Sequence, residues 1–183
     1  MGMNNIIKAE KSDIEPLCGL LADAFVRDPL YCCYLPEEAT RRNGIFQLFR
    51  KYFVECWDSI TLLTTPERSA VLCICPSDAE ERPQITLPAD LQRVYEQINQ
   101  SVAPRFYEDY LVLDLLAVRP DQRGRGLARA MVEEFRRAVM ESGRRGIVEI
   151  YEPENLEFYQ KLGFRVAHIQ PVGEALTAYL LEV

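Results

Sequence analysis

The feature that most constrains the fold of this chain is an arginine- and glycine-rich run between two apolar segments. Residues 119–129, with the sequence RPDQRGRGLAR, hold four arginines and two glycines in a chain whose formal net charge is -7. The preceding residues 110–118 have the length and apolar content of a buried strand, although periodicity alone leaves a buried helical segment open. Apolar residues then recur at helical spacing, at Leu127, Met131, Phe135 and Ala138. The run is therefore predicted to form a strand-to-helix turn.

A turn of this kind is a candidate site for a phosphate-bearing ligand. The first backbone N–H groups of a helix have no partner within the helix, and the helix dipole places partial positive charge at the same end. Glycines at Gly124 and Gly126 let a ligand approach the backbone without meeting a Cβ atom. We therefore expect the ligand to carry phosphates.

Two common phosphate-binding patterns do not match this turn. A nucleoside-triphosphate loop needs Gly-Lys followed by Ser or Thr, and the chain contains no such triplet. A dinucleotide fingerprint counted from Gly124 needs a third small residue at the position of Arg129, which is too large. What does fit is a glutamine followed by Arg-x-x-Gly-x-Ala, at Gln122, Arg123, Gly126 and Ala128.

At these residues the chain resembles the GNAT superfamily of N-acetyltransferases, whose acetyl-CoA loop has the pattern Gln/Arg-x-x-Gly-x-Gly/Ala. A second segment lies downstream: Asn155–Phe164, NLEFYQKLGF, is similar to the family segment in which an Asn is followed by a Tyr and then by Gly-Phe. Together the two segments span residues 110–168. The resemblance implies an acetyl-CoA-dependent transferase.

The order of the elements predicts a mixed α/β sheet. A strand at residues 4–9 precedes a helix that a capping box at Ser12 and Glu15 opens and that Asp28-Pro29 ends. The later elements are predicted as a loop at 76–88, helices at 37–57, 90–102 and 153–162, and strands at 60–63, 70–75, 147–151, 164–168 and 175–182. The GNAT resemblance sharpens this α+β arrangement to an acyl-CoA N-acyltransferase fold: a central, twisted, mostly antiparallel sheet, flanked by helices and splayed between its middle strands.

The length and composition favour a single domain over residues 1–183, and the resemblance implies that this domain is of the GNAT type. With 48% hydrophobic residues, a chain of this length can bury a full core. Its acidic balance, with a sequence pI near 4.9, argues against a nucleic-acid or anionic-membrane surface. No signal peptide or transmembrane run is evident, so we expect a cytoplasmic protein; a homodimer is left open. The six cysteines have no Cys-x-x-Cys spacing, so we expect reduced thiols and no metal.

The resemblance assigns acetyl-CoA as the cosubstrate. Its pyrophosphate would bind the N–H groups of the glycine turn, formed by Arg123, Gly124, Arg125, Gly126, Leu127, Ala128 and Arg129. The strand edge at Leu116, Ala117 and Val118 would pair with the pantetheine amides like an added strand. The side chains of Arg119, Arg125 and Arg129 either reach the 3'-phosphate or stay solvated. Asn155 would bond the pantetheine arm, the alternative being an N-cap of the short helix.

Acetyl transfer to an amine needs an oxyanion donor, a general acid and a path for the amine proton. The backbone N–H around Ala117 is the expected oxyanion donor. By resemblance, Tyr159 is the general acid for the departing thiolate, the alternative being that it only packs beside Phe158 and Phe164. Asp114, which is expected to share the strand face of Leu116, and Asp28, in the loop after the first helix, are the candidate bases.

The leading interpretation is thus an N-acetyltransferase that moves the acetyl group of acetyl-CoA to a primary amine of a small molecule or a protein, by direct attack in a ternary complex. Two alternatives stay open. The chain could transfer a longer acyl group from an acyl-CoA, or it could be a non-catalytic CoA-binding sensor or interaction module. The sequence contains no pattern that identifies the acceptor.

Overall fold

The computed structural model describes residues 5–76, 109–172 and 176–183, with four isolated positions between the first two ranges. The described strands are β1 (Ile7–Lys8), β2 (Thr61–Thr64), β3 (Ala70–Pro76), β4 (Tyr110–Val118), β5 (Arg145–Ile150), β6 (Arg165–Val172) and β7 (Leu176–Glu182). The described helices of more than one turn are α1 (Ile14–Phe25), α2 (Pro29–Tyr34), α3 (Glu38–Glu55), α4 (Leu127–Ser142) and α5 (Leu156–Lys161). Within these residues the strands form one seven-stranded sheet in the order β1-β2-β3-β4-β5-β7-β6.

The sheet opens between its two middle strands. β4 and β5 are the one parallel pair of the described sheet, and their pairing runs only from Tyr110 opposite Arg145 to Leu113 opposite Val148. Beyond that point β4 continues to Val118 paired with β3 alone. The second half of β4 therefore presents a free backbone edge to the gap, as the resemblance implied.

Apolar side chains cover the sheet on both faces. One cluster packs α1 and α3 on the sheet and includes Leu21, Phe53 and Leu115; we call it the α1–α3 cluster. The other, the α4 cluster, packs α4 and α5 on the opposite face and includes Met131 and Phe135. Each cluster contains side chains from both sides of the gap, so burial of apolar area holds the two halves of the sheet together.

The fold class is confirmed: the sheet is mixed, mostly antiparallel and flanked by helices. Several boundaries differ from the expected ones, and β1 has only two residues. The predicted loop at 76–88 and helix at 90–102 lie almost wholly outside the described residues. None of the helices in the described part of the chain combines the length and apolar character needed to cross a bilayer.

The capping box predicted at Ser12 and Glu15 is wrong. The carboxylate of Asp13 accepts a hydrogen bond from the N–H of Glu10 at 2.9 Å and one from Arg68 Nε at 2.5 Å. A short 3-10 turn, Lys11–Asp13, therefore precedes α1. Glu15 instead pairs with Arg50 of α3, because its helical position turns it toward that neighbour.

Candidate active site

A cavity of about 700 Å³ lies where the sheet opens. Its wall is built from the second half of β4, the end of β5, the glycine turn with the start of α4, the α1–α2 loop, and one face of α5. The site residues predicted from the sequence line this cavity, with the exception of Arg119 and Arg125. A volume of this size is typical of small-ligand sites.

The glycine turn presents free backbone donors to the cavity. Gly124 and Gly126 have φ angles of +76° and +82°, which a side chain with a Cβ disfavours. The first hydrogen bond of α4 runs from the N–H of Ala130 to the carbonyl of Gly126, at 3.0 Å. The three N–H groups that precede it, on residues 127–129, have no partner within the helix. This arrangement fits a pyrophosphate.

The four arginines of the turn have different roles in the structure. Arg123 lines the cavity, and its Nε donates to the carbonyl of Val118 at 3.3 Å, which ties the turn to β4. Arg119 forms a two-point pair with Asp121, with distances of 2.7 and 3.1 Å, away from the cavity wall. Arg125 is exposed outside the wall, whereas Arg129 is exposed within it. Arg123 and Arg129 are thus the side chains placed to meet a phosphate.

The open edge of β4 offers the N–H groups of Leu116 and Val118. The N–H of Arg119 bonds the carbonyl of Ser69 at 2.8 Å, so Arg119 faces the β3 side. Because successive N–H groups of a strand alternate in direction, Ala117 also faces β3, opposite Val71. The N–H groups that point into the gap are therefore those of Leu116 and Val118, on either side of Ala117. The role of an N–H group around Ala117 as the oxyanion donor stays a prediction.

Asp114 occupies a β-bulge. Cys73 is opposite Leu115 and Ile74 is opposite Leu113, so Asp114 is the extra residue of β4. The expectation that Asp114 shares the face of Leu116 is wrong, because the bulge shifts the alternation by one residue. Leu116 packs with the α4 cluster.

The carboxylate of Asp114 lies instead on the face of the α1–α3 cluster. It hydrogen-bonds with Tyr52 of α3, and burial followed by the charge of Asp114 raises the pKa of Tyr52 well above its usual range. The same side of the cavity contains Tyr31 and Asp28. The bulge thus turns the acidic side chain of β4 toward the α1–α2 loop.

Tyr159 has a packed ring and a free hydroxyl. The ring makes edge contacts with Phe158 and Phe164, at centroid distances of 5.1 and 5.3 Å, and the residue is 6% exposed. No described residue forms a hydrogen bond with the hydroxyl. Burial raises the pKa of Tyr159 well above its usual value, so the hydroxyl is protonated at neutral pH. The ring of Tyr159 is therefore part of the core, while its hydroxyl lies at the cavity.

Asn155 also lines the cavity and does not cap α5 with its side chain. Its Nδ2 donates to Oε2 of Glu152 at 2.9 Å. Asn155 thus occupies the N-cap position of the helix without making a side-chain capping bond. The side chain stays exposed beside the cavity, where a contact with the pantetheine arm remains a prediction.

The sequence analysis missed four acidic or phenolic wall residues: Tyr31, Glu149, Tyr151 and Glu152. Glu149 follows the last β4–β5 pair on the same face as Ile147, and the hydroxyl of Tyr151 donates to its carboxylate. Glu152 lies beside Asp28: burial raises the pKa of Asp28 to about 6, the N–H of Leu30 opposes that shift, and the charge of Glu152 adds to it. A charged residue inside an otherwise apolar strand was the one available signal for Glu149.

The buried guanidinium of Arg41 joins the α1–α2 loop to the loop that follows α2. Its three nitrogens donate to the carbonyls of Leu35 at 2.6 Å, Val26 at 3.1 Å and Pro36 at 2.9 Å. Asp28 N-caps α2 by accepting from the N–H of Leu30 at 2.9 Å. The two sets of bonds hold this wall of the cavity in one conformation.

The six cysteines are all free thiols, with Cys33 exposed and Cys32 half-buried on α2. Among the residues that the structure describes, no group of three or more His, Cys, Asp or Glu side chains has a metal-binding arrangement.

The comparisons with known proteins agree with this geometry. Residues 90–166 match the family model of the acetyltransferase (GNAT) domain. The structure is similar to the Corynebacterium glutamicum histone acetyltransferase HPA2 and related acetyltransferase, with a TM-score of 0.71 at 16% identity, over 97% of this chain and 93% of the other. It is also similar to the putative arylalkylamine N-acetyltransferase 7 of the mosquito Aedes aegypti, with a TM-score of 0.69 at 13% identity, over 97% and 86% of the two chains.

A third similar structure is the ribosomal-protein-S18-alanine N-acetyltransferase of Escherichia coli, with a TM-score of 0.56 at 18% identity, over 99% of this chain and 93% of the other. No curated protein sequence matches the chain significantly. The resemblance to the GNAT superfamily is confirmed in two ways: residues 90–166 match the GNAT domain model, and the fold is that of solved acetyltransferase structures. These findings support an acetyltransferase.

Proposed function

We propose that the protein is an N-acetyltransferase that transfers the acetyl group of acetyl-CoA to a primary amine of a small molecule or a protein. One observation carries the proposal: the free N–H groups of the glycine turn, the open edge of β4 and the hydroxyl of Tyr159 line the same cavity. Two of the similar proteins are N-acetyltransferases of amines by name, an arylalkylamine and a ribosomal-protein alanine enzyme, which supports an amine acceptor.

The chain has residues to hold each part of the cosubstrate. The N–H groups of residues 127–129 and the side chains of Arg123 and Arg129 would bind the phosphates. Leu116 and Val118 would pair with the pantetheine amides and donate to the acyl oxygen. Once bound, acetyl-CoA supplies the activated acetyl group.

Tyr159 would protonate the departing sulfur. A thiol has a pKa near 8.5 and a phenol one near 10, and burial raises the pKa of Tyr159 further. The hydroxyl therefore gives up its proton only as the carbon–sulfur bond breaks and charge develops on the sulfur.

Carboxylates in the wall would accept the proton of the amine. A free primary amine has a pKa near 10.4 and is mostly protonated at neutral pH. Asp114 and Asp28 remain the proposed bases, and the structure adds Glu149 beside the gap. Asp28, with a pKa of about 6, is mostly ionised at neutral pH and can take up a proton.

The test is release of free thiol from acetyl-CoA in the presence of a panel of primary amines, together with the melting temperature with and without CoA. The proposal expects an amine-dependent release and a stabilisation by CoA. Stabilisation without turnover on any amine would identify a CoA-binding module instead. An unchanged melting temperature in excess CoA would overturn the cofactor assignment.

A further inference from the structure

Charge is unevenly distributed around the cavity. Its basic wall residues within the described chain are Arg123 and Arg129, and both belong to the glycine turn. The remaining elements contribute four carboxylates, from Asp28, Asp114, Glu149 and Glu152. The part of the cavity outside the phosphate cradle is therefore acidic, and it has to accommodate the acceptor.

Asp28 and Glu152 belong to two different loops that line the same cavity, and they lie close enough for the charge of Glu152 to raise the pKa of Asp28. The partners of the two carboxylates are neutral: Asp28 accepts from the N–H of Leu30 at 2.9 Å and also from the N–H of Tyr31, and Glu152 accepts from Asn155 Nδ2 at 2.9 Å. Neither carboxylate forms an ion pair with a basic residue of the described chain. A cation bound near both would therefore relieve a repulsion that these neutral donors only partly offset.

The buried phenol of Tyr31 is a second, independent sign of a ligand. Tyr31 is 7% exposed and lines the cavity, and its hydroxyl forms no hydrogen bond with the described residues. Burial, followed by the charges of Asp28, Asp114 and Tyr151, raises the pKa of Tyr31 well above its usual range, which places its ring among these groups. Because Tyr31 lines the cavity, a ligand group that enters the cavity can become the hydrogen-bond partner of its hydroxyl.

Aromatic rings surround the same region. Phe25 and Tyr31 make an edge contact at a centroid distance of 5.7 Å, and Tyr151 lies in the wall between Glu149 and Glu152. A ring face attracts a cation that lies within about 6 Å of its centre. Carboxylates and rings together suit an ammonium or guanidinium group better than a neutral one.

The geometry points to the class of acceptor. We propose that the acceptor is a compact primary amine with a second cationic group, a diamine or a guanidino amine, and that Asp28 and Glu152 bind the second group beside Tyr31. The reacting amine then lies at the gap, near Asp114 and Glu149, so that with such an acceptor Asp28 binds the second cationic group and Asp114 or Glu149 is the base. This inference rests on the proposed function. A compact acceptor is required because the cavity of about 700 Å³ also has to hold the pantetheine arm.

The experiment compares two acceptors that differ only in the second charge, butane-1,4-diamine and 4-aminobutan-1-ol. Both have a primary amine and a polar group at the same distance. We expect kcat/KM for the diamine to exceed that for the amino alcohol by about tenfold or more, since bonds to charged groups contribute about 1.5 to 3 kcal/mol. An equal or higher value for the amino alcohol would overturn the inference and leave the proposed function intact. A higher value for phenethylamine would do the same and indicate an aromatic acceptor.

Two variants test whether Asp28 and Glu152 bind the second cationic group of the acceptor. In Asp28→Asn and Glu152→Gln, the ratio of the two kcat/KM values is expected to fall toward about 1, a measure from which any common effect on catalysis cancels. Glu154→Gln is the matched control, because Glu154 is exposed in the same loop and does not line the cavity. A ratio of kcat/KM values that is unchanged in both variants would contradict the assignment of Asp28 and Glu152 to the second cationic group.

A binding measurement separates failure of this inference from failure of the proposed function. The CoA-loaded protein is titrated by calorimetry with butane-1,4-diamine, whether or not any amine is acetylated. Binding that Glu152→Gln weakens supports the cationic subsite even if turnover is never observed. No binding of the diamine, with normal binding of CoA, would overturn it.

Discussion

At the scale of single residues, Tyr159 has a ring that is packed in the core and a hydroxyl that is available to a ligand in the cavity. Its ring is packed between two phenylalanines, while its hydroxyl has no partner among the described residues and lies in the cavity wall. We expect Tyr159→Phe to keep the packing and to lower kcat by about 10 to 10³ fold, a typical loss for a general acid. Affinity for CoA, measured by titration, should stay within about twofold, because the ring contacts are retained.

Tyr179→Phe is the control for that loss. Tyr179 packs against the same α4 cluster and does not line the cavity. Its substitution should leave kcat nearly unchanged. Equal turnover of the parent and Tyr159→Phe on a verified acceptor would assign Tyr159 to the core.

Asp28 makes stability depend on pH. Its pKa is about 6 in the folded chain and 3.8 as a model carboxyl, so folding favours its protonated form. The contribution of the protonated Asp28 carboxyl to the free energy of unfolding is fully present below about pH 3.8 and is lost as the pH rises through about 6. Asn is neutral and caps a helix equally well, so Asp28→Asn should be more stable than the parent above pH 6, by at most about 3 kcal/mol, and equally stable near pH 3.5. Denaturant titrations at several pH values measure this, and a difference that is independent of pH would contradict it.

At the scale of elements, the two ends of α4 provide a matched pair of glycines. Gly126 starts the helix with φ of +82° and lines the cavity, and Gly143 ends it with φ of +68° in open space. A valine at either position should cost about 1 to 3 kcal/mol of stability. Only Gly126→Val should also abolish most of the stabilisation by CoA, because its side chain blocks the approach to the free N–H groups. A full thermal shift with CoA in Gly126→Val would show that the turn does not hold the phosphates.

A single guanidinium holds the α1–α2 loop to the loop after α2. Lysine cannot reproduce the three bonds that Arg41 donates, one to the carbonyl of Val26 in the α1–α2 loop and two to carbonyls of the loop after α2. We therefore expect Arg41→Lys to raise the KM for the amine several-fold while CoA affinity is kept, and to destabilise the chain by about 1 to 3 kcal/mol. The neighbouring Arg42, which pairs with Asp23 at the surface, is the control, and Arg42→Lys should change neither quantity. An unchanged KM in Arg41→Lys would mean that this loop does not contact the acceptor.

At the scale of the whole molecule, sequence reasoning succeeded where local chemistry determines the structure. The glycine turn and α4 were predicted because positive φ angles and helical spacing are properties of a short segment. The bulge at Asp114 was not predicted, because the register of β4 depends on β3, more than thirty residues earlier. The proximity of Asp28 and Glu152 was missed for the same reason, since topology alone brings these two loops together.

The opening in the sheet raises the question of whether its two halves unfold separately. The α1–α3 cluster includes Ile147 and Leu180 from the second half, and the α4 cluster includes Leu72 from the first, so both clusters cross the gap. We therefore expect a single cooperative transition.

Two probes can test this. Trp57, the one tryptophan of the chain, follows α3 and packs against the α1–α3 cluster, so its fluorescence reports on the first half of the sheet, while far-UV circular dichroism reports on both halves. The two denaturation midpoints should coincide, and CoA at about a hundredfold excess over Kd should move both by the equivalent of about 2.7 kcal/mol. A fluorescence transition that precedes the loss of secondary structure, or a CoA shift seen by only one probe, would show that the halves of the sheet are independent.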